Sequence, residues 1–296
     1  MHKKLIMLLL LAHSVVVSAE PNDAVTLRQE SELTSLVLKN TSSPKLRSSI
    51  ALIYDEQGQR ALYSKNADTV APIASISKLM TAMVVLDAKL PMDEEIRITS
   101  QDVDTLKGTH SRMRPGMTLT RGELIEVALM ASENRAASAL ARTYPGGFEA
   151  AIAKMNAKAR ELGMLNTRFL DPTGLNSGNV STAQDLVKMV LAAQNYEAIH
   201  NATTSSSHIA EPAGYRPLLY KNTNPLVRNA SWNISVSKTG YINEAGRCLV
   251  MKANIKQRPV VIVLLDSWGK STRIGDANRI KKWIESALVV RNVRRG

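Results

Sequence analysis

The chain has 296 residues, 44% hydrophobic and 22% charged, the make-up of a globular protein with ample length for a sizeable core. Aromatics are only 4%, so that core is expected to be aliphatic and methionine-rich. The single cysteine, Cys248, excludes an internal disulfide and a cysteine-based zinc site, and the formal charge of +12 is scattered rather than gathered into a nucleic-acid stripe.

Residues 1–19 read as a cleaved secretory signal. Lys3 and Lys4 start it, an apolar run follows, and Val17-Ser18-Ala19 is a small-residue cleavage site before Glu20. The apolar run is too short for the roughly 20 residues that cross a bilayer. No later segment approaches that length, so a soluble, exported protein is expected. The scattered basic residues, with the short tail at 291–295, allow at most peripheral attraction to anionic envelope polymers or lipid headgroups.

Residues 20–46 form a polar leader. Residues 48–54 and 60–64 predict two strands around a turn at Asp55-Glu56-Gln57-Gly58, a hairpin. A helix then opens at Ser75, with Ile76, Leu79, Met80, Met83 and Val84 on one apolar face. Thr120-Arg121-Gly122-Glu123 is a capping box that starts a helix through Met130. Another helix begins near Asn134, and a third runs over 147–162 with Gly163 as its stop. Ser181-Thr182-Ala183-Gln184 caps one more, to about Gln194. Strands follow at 233–238, 248–255 and 260–265, the last two joined as a hairpin, and a helix over 272–288 closes the chain. Cys248, among apolar neighbours, is expected to be a buried, inert thiol.

Strands at both ends with helices between predict an α+β fold. One antiparallel sheet is formed from both chain ends and flanked by helices, with a helical subdomain at about 87–205 inserted in a single domain, 47–296.

Three short patterns carry chemistry. Ser75 and Lys78 are three apart at a helix start, so a neutral lysine there could take the serine's proton. By itself the spacing is weak, because it recurs at Ser42/Lys45 and Ser235/Lys238, and a serine before an apolar run is usually an N-cap. Ser132-Glu133-Asn134 sits in the break between two helices, where it could equally cap the second; Ser64/Asn66 and Ser177/Asn179 share its spacing. Lys238-Thr239-Gly240 ends an apolar strand and is met once.

Taken together, in this order and these settings, the three patterns resemble the penicillin-binding proteins and serine β-lactamases. The surrounding segments 72–81, 162–169, Asp171-Pro172-Thr173-Gly174-Leu175 and 238–250 are similar to the D-alanyl-D-alanine peptidases. Among these the resemblance is greatest to endopeptidases of the penicillin-binding protein 7/8 type, over about residues 47–288. It implies a β-lactamase/transpeptidase-like fold and periplasmic hydrolysis of D-alanyl cross-links in peptidoglycan. Ser75 would be the nucleophile that becomes an acyl-enzyme, and Lys78 its general base. Ser132 would pass a proton toward the leaving amine. Asn134 would hold the substrate peptide and orient Lys78. Lys238 and Thr239, with Gly240, would bind a carboxylate on the leaving side, and the N–H groups of Ser75 and Tyr241 would form the oxyanion hole. A free lysine, with a pKa of about 10.4, is neutral only about once in a few thousand at pH 7, so burial and a second cation, Lys238, are expected to lower that of Lys78.

The implied partners are cross-linked stem peptides and β-lactams, which would acylate Ser75; no cofactor and no metal are expected, since His110, His200 and His208 show no ligand spacing. The class A β-lactamases activate water with a Glu-x-x-Leu-Asn glutamate. Glu161 comes near that pattern, one residue too far from Leu165-Asn166, and is expected to be a helix end instead. Carboxypeptidase relatives commonly add a β-rich domain and an anchor helix; a chain stopping soon after its closing helix weakens the carboxypeptidase, which stays the runner-up to the endopeptidase, with a β-lactamase third. A catalytically silent wall-binding protein is the alternative outside the enzymes.

Overall fold

The computed structural model describes residues 42–293 of the chain, and side chains as far as 287. The expected signal at 1–19, most of the leader at 20–46 and the end of the basic tail lie outside the described residues.

The elements follow in order as β1 (Ile50–Asp55), β2 (Arg60–Lys65), β3 (Ala71–Pro72), α1 (Ser77–Asp87), β4 (Glu95–Arg97), β5 (Thr118–Thr120), α2 (Arg121–Met130), α3 (Asn134–Arg142) and α4 (Gly147–Glu161). Then come β6 (Val180–Ser181), α5 (Ala183–Ala193), α6 (Glu197–Thr204), β7 (Ser207–Ala210), β8 (Leu218–Lys221), β9 (Asn233–Ile242), β10 (Gly246–Ile255), β11 (Arg258–Ser267) and α7 (Thr272–Val293). Five strands make one sheet in the order β2-β1-β11-β10-β9, every pair antiparallel. The expected sheet of both chain ends is therefore present, and β1 lies beside the last strand, Ile50 opposite Leu265.

Both faces of that sheet are buried, which explains why its central strand reads as an unbroken apolar run. On β11, Val261, Val263 and Leu265 point into the core shared with α1–α6, while Val260, Ile262 and Leu264 pack under α7. α7 presents Ala277, Ile280, Trp283, Ile284 and Ala287, a helical spacing, to that second layer. Leu46, at the edge of the expected leader, is also buried there. The two chain ends are tied by a buried carboxylate. Ser48 donates to Asp276 of α7 from its N–H (2.8 Å) and its hydroxyl (2.6 Å), and its hydroxyl also meets that of Ser267 at 2.7 Å.

Local signals set most boundaries. Thr120 and Glu123 form the expected capping box of α2, Thr120 Oγ1 accepting from Glu123 N at 3.2 Å. The cap of α5 is shifted by one residue from expectation, because Thr182 accepts from Asp185 N at 3.1 Å. β9 runs four residues past its expected end, through Lys238-Thr239-Gly240 to Ile242. Helix α6 and the β7–β8 hairpin were not legible. α6 is short, five of its eight residues are weak helix formers and it is held by burying Ile199 and Ala202, and the hairpin strands are four residues each and half exposed.

Candidate active site

Ser75 lies in a single 3-10 turn, Ala74–Ile76, immediately before α1. Lys78 is in the first turn of α1, so its side chain folds back on the serine: Lys78 Nζ is 2.9 Å from Ser75 Oγ. The backbone at this turn is pressed from two sides. Ala74 is held at φ 49°, the left-handed region that costs a non-glycine residue roughly 1–3 kcal/mol. Gly174, at φ +80°, packs so closely that a Cβ there would be 1.8 Å from Ala74 O and 2.8 Å from Ser75 N. On the other side, a Cβ on Gly240 would be 3.0 Å from Ser75 N. The glycine that closes the Lys238-Thr239-Gly240 pattern thus lets β9 approach the serine's amide.

Lys78 is 1% exposed and has three partners: Ser75 Oγ, Asn134 Oδ1 at 2.7 Å and Thr173 O at 2.7 Å. Two of these are carbonyl oxygens, which only accept. A neutral amine has two N–H donors and one lone pair. Donating to Asn134 and Thr173 leaves that lone pair facing the Ser75 hydroxyl. Burial lowers the Lys78 ammonium to about 7, against the opposing pull of Asp171 and Glu133. About half the molecules then carry the free amine at pH 7.

The orientation of the Asn134 amide is fixed by a chain of donors. Its Nδ2 donates to Thr109 Oγ1 at 3.0 Å, and that hydroxyl spends its own proton on Asp104 Oδ2 at 2.7 Å. Asp104 also accepts from the N–H groups of Leu106, Lys107 and Thr109. Burial would raise its pKa, and the hydrogen bonds led by Thr109 outweigh this and hold it below the ordinary value. Ionised Asp104 cannot donate, so Thr109 must accept from the amide, and the amide must turn its oxygen to Lys78. The Thr173 carbonyl is set in the same manner. Asp171 accepts from Thr173 Oγ1 (2.7 Å), Gly174 N (2.6 Å) and Asn176 N (2.6 Å), curling the loop under Lys78.

Ser132 joins α2 to α3 with φ 63°, and Glu133 caps α3. Lys238, also 1% exposed, reaches across from β9 to donate to Ser132 Oγ at 2.9 Å. Burial, then the charge of Lys78, pushes its ammonium well below its usual pKa. Burial, expected from the sequence at Lys78, is the leading cause at both amines. Among the described residues, the Ser132 hydroxyl is hydrogen-bonded to Lys238 rather than to Lys78. Thr239 donates to Thr223 Oγ1 at 2.7 Å. Tyr241 is exposed, its ring stacked 4.4 Å from the Arg247 guanidinium and its hydroxyl donating to Asn243.

The three patterns are therefore linked: Lys78 meets the Ser75 hydroxyl and Asn134, Gly240 closely approaches Ser75 N, and Lys238 on the same strand meets Ser132. Sequence reading missed Asp104, Thr109, Thr173 and Thr223. Glu161 ends α4 with an exposed side chain paired with Lys154 at 3.5 Å. Cys248 is buried and its thiol is pushed up to about 12, chiefly by burial. Among the described residues no group of three or more His, Cys, Asp or Glu could hold a metal, and no helix is long and apolar enough to cross a membrane.

Comparison with known proteins bears on the family and the fold. The D-alanyl-D-alanine carboxypeptidase family matches residues 38–269. The D-alanyl-D-alanine endopeptidase of Escherichia coli strain K12 is 47% identical over 252 residues, covering 84% of this chain and 81% of its own. The Streptomyces K15 DD-transpeptidase superposes with a TM-score of 0.77 at 28% identity, over 83% of this chain and all of that one. Penicillin-binding protein D2 of Listeria monocytogenes, solved in an ampicillin-bound form, gives 0.72 at 27% identity, over 82% of this chain and 99% of that one. The β-lactamase-like fold, the converging serine and lysine pairs and these similarities lead to one conclusion: the chain belongs to the D-alanyl-D-alanine carboxypeptidase family and is a serine-type D-alanyl-D-alanine peptidase.

Proposed function

We propose that the protein hydrolyses D-alanyl cross-links of peptidoglycan in the periplasm, through an acyl-enzyme on Ser75. The observation that carries this reading is the setting of Lys78 Nζ, between two carbonyl oxygens and the Ser75 hydroxyl. Ser75 Oγ gives its proton to the Lys78 lone pair and attacks the carbonyl carbon of a D-alanine. The N–H groups of Ser75 and Tyr241 receive the oxyanion, where one donor is typically worth about 100-fold or more in rate. Collapse breaks the C–N bond. The leaving amine takes a proton by way of Ser132, whose hydroxyl Lys238 orients. Water then cleaves the Ser75 ester, with Lys78 again as base.

Asn134 holds the substrate's peptide group as well as the base. Lys238, Thr239 and Gly240 line the carboxylate position, and a bound carboxylate would favour the ammonium form that burial disfavours at Lys238. β-Lactams, which pair an amide with a carboxylate, acylate the same hydroxyl. The exposed, ion-paired Glu161 offers no water-activating carboxylate to support a β-lactamase. The 47% identity to an endopeptidase favours cross-links over the carboxypeptidase alternative.

Fluorescent penicillin tests the nucleophile: a stable label is expected, absent in Ser75→Ala. Digesting cross-linked muropeptide dimers beside a pentapeptide ending in D-Ala-D-Ala tests the substrate. Faster cleavage of the dimer is expected, and cleavage of the pentapeptide alone would make the enzyme a carboxypeptidase.

A further inference from the structure

The loop that fixes Asn134 also lines two adjoining cavities. One, of about 310 Å³, is bounded by Ala131 and Glu133, the neighbours of Ser132, and by Tyr220 and Lys221 of β8. The other, of about 380 Å³, shares His110, Ser111 and Arg112 with the first and continues outward to Arg114, Tyr215 and Arg216. The inner cavity has mixed charge, because Glu133 and Lys221 both face it. The outer one is lined by arginine and no acid.

Arg114 and Arg216 are exposed and have no acidic partner among the described residues. Their frame is built rather than loose. Arg135 Nη1 donates to Met113 O at 2.7 Å, pinning this stretch to α3. Arg112 donates to Leu219 O at 2.8 Å and lies 4.6 Å over the Tyr220 ring. The Tyr220 hydroxyl, on a residue only 2% exposed, has no hydrogen-bond partner. Gly116 leaves room for the Tyr215 hydroxyl, which a Cβ would meet at 2.9 Å. Two unpaired guanidinium groups on a fixed wall match the planar, twofold acceptor of a carboxylate.

The inner cavity, which the arginine-lined one adjoins through His110, Ser111 and Arg112, lies toward the Lys238–Thr239 side of the site. Lys221 is two residues before Thr223, which accepts from Thr239. That is the leaving-group side in the proposed reaction. A cross-link expels a second stem peptide, an anionic chain with several free carboxylates. A carboxypeptidase reaction expels one D-alanine, whose single carboxylate is already taken up at Lys238 and Thr239.

We propose that the Arg112–Arg114–Arg216 pocket is a carboxylate subsite for the leaving stem peptide, and that it selects cross-links over single stems. The inference rests on the cross-link reading above. The test is the double variant Arg114→Gln/Arg216→Gln, assayed on a cross-linked muropeptide dimer, on a D-Ala-D-Ala pentapeptide and with fluorescent penicillin. Dimer cleavage should fall about tenfold through KM, the effect expected of losing charged hydrogen bonds, with the other two activities unchanged. A dimer amidated at the leaving-stem carboxylates other than the one beside the cleaved bond, which Lys238 and Thr239 take up, should be cut by the native enzyme as slowly, and should not respond to the variant. Unaltered dimer cleavage in the variant would overturn the subsite, as would an equal fall in all three assays. A native enzyme that cuts the pentapeptide and no dimer would overturn the cross-link reading itself, a result visible before any variant is made.

Discussion

Thr109 accepts a hydrogen bond from Asn134 and donates its own proton to Asp104, so one surface-loop hydroxyl decides which atom of a half-buried amide faces Lys78. Replacing it by valine keeps the shape and removes both links. The amide nitrogen then loses its acceptor, at a cost of about 1–3 kcal/mol, and the amide is free to turn. Thr109→Val should slow acylation by fluorescent penicillin about tenfold or more, while Thr109→Ser, which keeps the hydroxyl, should restore it. Equal rates in all three proteins would show that the amide is fixed by something else.

The lowered pKa of Lys78 gives acylation a definite pH dependence. Only the free amine can take the serine's proton, so the rate should rise with pH through a midpoint near 7. Stability should move in the same direction for a separate reason. The unfolded lysine titrates near 10.4, so between about 7 and 10 the unfolded chain binds the extra proton and stability rises with pH. Below about 7 both states are protonated and this contribution is flat. Lys238, also lowered, adds with the same sign. Replacing Lys78 by methionine should therefore flatten the gain in melting temperature between pH 7 and 10.

Gly174 and Gly240 press on the same peptide with unequal force. A Cβ on Gly174 would lie 1.8 Å from a backbone oxygen at φ +80°, whereas one on Gly240 would sit at 2.9–3.0 Å from its neighbours. Gly174→Ala should cost about 1–3 kcal/mol from the left-handed backbone alone, and more from the collision. It should abolish penicillin labelling. Gly240→Ala should leave a folded protein that acylates slowly. Thermal melting and labelling of the two variants check the order.

Ser48→Ala tests the tie between the chain ends. Burial would raise the Asp276 pKa, but hydrogen bonds led by Ser48 hold it below the ordinary carboxylate value. A depressed acid contributes stability above its unfolded pKa of about 3.9 and loses it as pH falls through the folded value. The variant should lose about 1–2 kcal/mol at neutral pH. The gap to the native protein should narrow on acidification in urea melts.

The sheet, most helices and every residue of the three short patterns were legible because each rests on local spacing. Thr120 and Glu123 cap within one turn, and Ser75 and Lys78 meet across one. Lys238-Thr239-Gly240 stands out by its strand. What was hidden depends on contacts the chain makes at a distance. Thr109 reaches Asn134 across 25 residues, and Thr173 contributes a backbone carbonyl, which no side-chain pattern reports. The strand was expected to end at 238, whereas it continues to Ile242 and places Gly240 in close approach to Ser75 N.

The free amine beside the Ser75 hydroxyl can be observed directly by following the side-chain nitrogen resonance of Lys78 through a pH titration, assigned with Lys78→Arg. The expected midpoint is about 7, with the resonance shifting when penicillin occupies Ser75. A midpoint near 10, with acylation still rapid at neutral pH, would contradict a lysine base.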